Sequence, residues 1–103
     1  NYKWIFPFLS SESIRANFFL EQLKEILKVS KIKWTVSSDI FNEEHIFIVV
    51  HGIRDIKEIK SIENNSKMYE LVTQNSKNFV ALASQYRTIM KNKKWKTFQD
   101  ERN

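Results

Sequence analysis

The stretch His45-Ile46-Phe47-Ile48-Val49-Val50-His51-Gly52 holds five consecutive apolar residues between two histidines and closes on the only glycine of the chain. An unbroken, β-branched apolar run of this length suits a central strand covered on both faces. Gly52 is expected to end it. Upstream, Lys31-Ile32-Lys33-Trp34-Thr35-Val36-Ser37 alternates apolar and polar residues, the signature of a half-buried strand, and Ser38–Glu44 reads as the connection. Downstream, Asp55 is placed to cap a short helix in which Ile53, Ile56, Ile59 and Ile62 recur every third residue until Glu63-Asn64-Asn65-Ser66 breaks it.

Outward from this centre, Tyr2–Leu9 is aromatic-rich and strand-like, and Pro7, which cannot donate to a ladder, makes it either an edge strand or a strand that ends near Pro7. Its alternating Trp4, Phe6 and Phe8 face one way, either into a core against helices or outward as an aromatic platform. Ile14–Val29 is an amphipathic helix with Phe18, Phe19, Leu23, Ile26 and Leu27 at helical spacing. Met68–Thr73 reads as a fourth strand. A last helix, capped by Asn75, Ser76 or Asn78, would present Phe79, Leu82, Ala83, Tyr86 and Ile89. The order is β-α-β-β-α-β followed by an added helix. This predicts an α+β, ferredoxin-like domain: an antiparallel four-stranded sheet with the helices that start near Ile14 and Asp55 on one face. The added helix is the candidate to cover the other. The expected core contains Phe19, Leu23, Ile26, Trp34, Ile46, Ile48, Val50, Ile56, Ile59 and Leu71.

The whole chain of 103 residues is expected to be a single domain. Because residue 1 is Asn rather than Met, that domain is expected to belong to a longer protein. The longest apolar run, Ile46–Val50, is too short to span a bilayer. The lack of cysteine excludes disulfides, thiolate metal sites and thiol nucleophiles. Net charge is +5, and residues 87–103 carry +4 of it through Arg87, Lys91, Lys93, Lys94, Lys96 and Arg102 against Asp100 and Glu101. Such a segment either grips a partner or is a solvated helix end suited to the negative pole of the macrodipole.

Residues that could carry chemistry are sparse. His45 and His51 flank one predicted strand about 20 Å apart, too far to share an ion, so no metal or other cofactor is expected. Glu43-Glu44, Asp55/Glu58 and Asp100/Glu101 are sequence neighbours of the kind found on solvated turns. No serine sits in a nucleophile-elbow pattern, and one glycine cannot build a phosphate-cradling loop. No enzymatic activity is expected. The element order is also that of RNA-recognition domains, but the third strand offers one aromatic, Phe47, and lacks the basic-Gly pair that precedes it there.

Two stretches carry a family resemblance. One is Val36-Ser37-Ser38-Asp39-Ile40-Phe41-Asn42 with Ile46–Ile59, a strand, a Phe-Asn corner, a second strand and a helix. The other is Tyr69-Glu70-Leu71-Val72-Thr73-Gln74-Asn75, Asn78-Phe79-Val80-Ala81-Leu82 and Lys91–Phe98. Together they resemble the C-terminal SPOR-like domain of the tetratricopeptide-repeat lipoproteins of the type IX secretion and gliding-motility machinery (the SprE/PorW type). The resemblance implies a non-enzymatic interaction module in a periplasmic, outer-membrane-associated complex, with protein partners and peptidoglycan as ligands. It carries over no functional residue. The alternative is a basic, cytoplasmic RNA-binding or ribosome-associated domain. In either case the expected partner surface is Tyr86, Arg87, Lys91, Lys93, Lys94, Trp95 and Lys96, where Trp95 supplies an amphipathic anchor and the cations supply steering charge.

Overall fold

Odd- and even-numbered residues part company along every strand, and the whole architecture follows from that division. The computed structural model describes residues 1–103 and contains strands β1 (Tyr2–Leu9), β2 (Thr35–Ile40), β3 (His45–Ile53) and β4 (Phe79–Leu82). Helices α1 (Ser13–Val29), α2 (Ile56–Glu63), α3 (Ser66–Val72) and α4 (Ala83–Asn92) complete it. The strands form one fully antiparallel sheet in the order β2-β3-β1-β4. The fold is α+β.

Even-numbered Trp4, Phe6, Phe8, Ile48, Val50 and Val80 meet Phe19, Leu23 and Leu27 of α1 together with residues of α2 and α3 in a core of 17 buried residues. Odd-numbered Ile5, Phe47, Val49, Phe79 and Ala81 point the other way and meet Tyr86, Ile89 and Trp95 in a second core of nine. A sheet buried on both faces needs apolar residues at consecutive positions, which is why β1 and β3 read as continuous runs. Trp4, Phe6 and Phe8 thus face the helices, and the added helix does cover the second face, through Tyr86 and Ile89. Of the expected core, Ile26, Trp34, Ile46 and Ile56 are half-buried and the other six are buried.

Several local expectations fail. Met68–Thr73 is not a strand: Ser66–Val72 forms α3, because the Asn65 side chain accepts from the Lys67 and Met68 amides and Met68, Leu71 and Val72 bury one helical stripe. The fourth strand is instead Phe79–Leu82, which pairs with Tyr2–Ile5. Over so few residues, the spacing of Phe79, Leu82, Ala83, Tyr86 and Ile89 fits a helix as well as a strand running into one. Asn75 and Asn78 cap no helix. Asn75 Nδ2 donates to the Pro7 carbonyl at 2.7 Å, and Asn78 Oδ1 accepts from Trp4 Nε1 at 3.0 Å. Leu82 starts α4, its amide donating to the Gln85 side chain at 2.8 Å.

Boundaries shift as well. Lys31 takes a left-handed conformation (φ 57°) just past the end of α1, so β2 begins at Thr35 and runs on to Ile40. The hairpin loop shrinks to four residues, closed by Asn42 Oδ1 accepting from the Glu44 and His45 amides. Gly52 does not end β3. At φ +90° it lies in a bulge, where Tyr2 pairs with Ile53 but Trp4 pairs with Val50. The extra residue turns Ile53 into the first core. β1 is an interior strand that runs on past Pro7 to Leu9, yet Pro7 itself lies beyond the end of β4, where β3 is the only neighbour and the other side of β1 is a local edge.

Candidate functional site

The C-terminal segment divides by side chain. Tyr86 and Trp95 are buried within the domain. Trp95 stacks on Phe79 at 5.9 Å between ring centres and meets Phe47 edge-on at 5.6 Å. Lys93 ends α4 in a left-handed conformation (φ 56°); its Nζ donates to the Phe41 carbonyl at 2.6 Å and lies over the Phe41 ring. Arg87, Lys91, Lys94 and Lys96 are exposed and form no ion pair. Arg87 and Lys91 lie one helical turn apart on the outer side of α4. Arg102, part of the same basic excess, is fully engaged: it holds Asp100 at 2.6 Å and Glu63 at 3.6 Å and sits over the Trp4 ring. Burial alone would raise the Asp100 carboxyl, but its hydrogen bonds to Arg102 win and hold it below the usual carboxylate range. This clasp fixes the tail along β4, where Val80 N–H donates to Asp100 and the Glu101 amide donates to the Val80 carbonyl.

A polar chain crosses the second sheet face beside α4. Lys3 Nζ lies 2.9 Å from His51 Nδ1, and His51 Nε2 lies 2.6 Å from Ser37 Oγ. Ser37 donates to Asp39 at 3.0 Å, and Tyr86 donates to the same carboxylate at 2.5 Å. The ammonium of Lys3 can only donate, so Nδ1 accepts and the imidazole proton is on Nε2. Ser37 therefore receives a proton donor from the histidine rather than a base. The carboxylate sits beyond the serine, not behind the imidazole, the reverse of a nucleophile-activating order. Burial, then the Lys3 charge, pushes the His51 pKa down. Burial, then the hydrogen bond to Asp39, pushes the Tyr86 phenol far up. Four of these residues occupy odd positions of three strands, but only the pairing register brings them together; in the sequence His51 stands out only as a candidate metal ligand, and Lys3, Ser37 and Asp39 carry no signal of the cluster.

A third feature lies on the helix side of the sheet, between the turn after α1 and α2. An open groove of about 1010 Å³ runs there, lined among others by Lys33, Trp34, Gly52, Arg54, Lys57 and Glu58. Lys33 and Arg54 are 21 positions apart in sequence and come to line one groove only through the fold, so no local pattern announces the site. No family model, curated protein or solved structure matches this chain.

Proposed function

We propose that this domain is a non-enzymatic interaction and scaffold module on a ferredoxin-like framework, serving a bacterial cell-envelope secretion and gliding-motility complex. The strand order β2-β3-β1-β4, with α1, α2 and α3 on one face, supports the framework. The observation that carries the functional reading is the outer surface of α4 and its extension, where Arg87, Lys91, Lys94 and Lys96 stand exposed and unpaired. Unpaired cations on a rigid, well-packed layer attract an acidic protein surface and fix its register. Trp95 contributes from below, by holding the layer in place, rather than as a contact residue.

The same geometry bears on how peptidoglycan or RNA could be held. Ligands read on an open sheet need exposed rings, whereas Phe47 is wholly buried and stacked on Phe41 at 4.7 Å. A glycan or RNA partner would have to use another surface, and the protein partner is the reading favoured here. A photo-crosslinking residue at Arg87, Lys91 or Lys94 of the full-length protein in its native cells tests it. Adducts to a cell-envelope protein from these positions, and none from Lys67 on α3, are expected. Adducts to RNA or ribosomal proteins, or none at all, overturn it.

A further inference from the structure

We propose that the groove between the α1–β2 turn and α2 binds a sugar phosphate, with the phosphate held by Lys33, Arg54 and Lys57 and the ring laid against Trp34. This site lies away from α4 and is independent of the reading given for that surface. The three cations line one groove and none forms an ion pair, so their charge is available to a ligand. The one acid lining it, Glu58, is turned back to accept the Arg54 amide at 3.2 Å. Arginine and lysines lining one groove suit an oxyanion with three acceptor oxygens, the arginine as a fork and the lysines as point charges.

Trp34 supplies the apolar part. Its ring is half-buried against the first core, unlike the buried Trp4 and Trp95. Gly52, at φ +90° in the β3 bulge, leaves the ring's edge uncovered: a methyl group there would lie 3.9 Å from Trp34 Cδ1. The bulge therefore sits beside an uncovered indole edge, and Arg54, two residues on, lines the same groove. Ser30, Ser61 and Asn65 add hydroxyl and amide groups able to pair with sugar hydroxyls. A groove of about 1010 Å³ accommodates a ligand of this size.

Gly52 is the only glycine of these 103 residues, so this stretch expressed by itself and labelled with ¹⁵N-glycine gives one glycine amide signal, placed at the groove. Titration with glucose 6-phosphate, adenosine monophosphate and a short single-stranded oligonucleotide is expected to move that signal saturably, and the tightest of the three identifies the source of the sugar phosphate. Lys33→Ala, Arg54→Ala and Lys57→Ala, at exposed positions, are each expected to weaken binding about tenfold with unchanged Tm. Trp34→Leu is expected to do so by a similar factor. Charge reversal at Arg87 and Lys91 should leave the affinity unchanged. The proposal is overturned if inorganic phosphate or polyglutamate binds as tightly as the sugar phosphates, if neutral glucose does, or if none of the three ligands moves the signal at millimolar concentration.

Discussion

The two faces of the sheet are closed by different means. The first core draws on three helices and 17 buried residues, all apolar. The second rests on a ten-residue helix, one loop phenylalanine and a tryptophan beyond the helix end, nine buried residues in all. A chain of ionisable and hydroxyl groups runs along its margin, from Lys3 through His51 and Ser37 to Asp39 and Tyr86. Apolar burial is non-directional and nearly indifferent to pH, whereas hydrogen-bonded titratable groups are neither. The first face should therefore set whether the chain folds, and the second should set how firmly α4 is held and under what conditions.

The sharpest way to break that contrast uses one residue from each core, Ile48 of β3 and Trp95 beyond the end of α4. Ile48→Asp puts an unpaired charge in the first core and is expected to unfold the domain, at a cost of about 4 kcal/mol or more; a cooperative thermal transition at the wild-type temperature would remove the central-strand assignment. Trp95→Ala empties the second core and is expected to cost about 3 kcal/mol. Hydrogen exchange locates the damage: faster exchange confined to 83–92 supports a separable second layer, and equal acceleration through α1 shows one cooperative unit.

Smaller effects come from the polar margin. Tyr86→Phe leaves Asp39 without its phenol partner and is expected to cost about 1–2 kcal/mol in chemical denaturation. His51 has its pKa lowered in the folded state, so its contribution is complete above the ordinary histidine value near 6.5 and is lost as pH falls through the folded value. Stability is thus expected to fall as pH drops below about 6.5, more steeply in the native chain than in His51→Gln. Tyr86 runs in the opposite direction: its raised pKa gives stability that is whole below about pH 10 and is lost above it. Least affected is the outer surface of α4, where Arg87→Glu or Lys91→Glu should change stability by no more than about 0.5 kcal/mol. A larger loss would show that these cations serve the fold.

Much of the fold was legible because burial on two faces leaves a mark on composition. The run Ile46–Val50 and the alternation Trp4, Phe6, Phe8 both carry that mark, and α1 shows a helical period over 17 residues. Short elements leave weaker ones. Met68–Val72 and Phe79–Leu82 are each only five or four residues long, and so few positions do not distinguish a period of two from one of 3.6. The α+β class and the four-stranded antiparallel sheet emerged, but the element order differs from the expected one: a helix, α3, took the place of the supposed fourth strand, and β4 took the start of the supposed last helix. Of the expected partner surface, charge identified the exposed members; Trp95 and Tyr86 fit an interface by residue type yet are buried.

What the amino-acid sequence determined by itself is what depends on local pattern: the strand core, the long helix, the Asp55 cap, the basic end and the absence of thiol chemistry. What only the tertiary structure decided depends on register and on long-range approach. A bulge of one residue at Gly52 carries Ile53 into the first core, and Lys33, Trp34 and Arg54 line one groove beside it. Antiparallel pairing places Ser37 and His51 within a hydrogen bond although 14 residues separate them. Neither arrangement leaves a trace in any short window of sequence, because side-chain direction in a sheet is set by the neighbouring strand as much as by the strand itself.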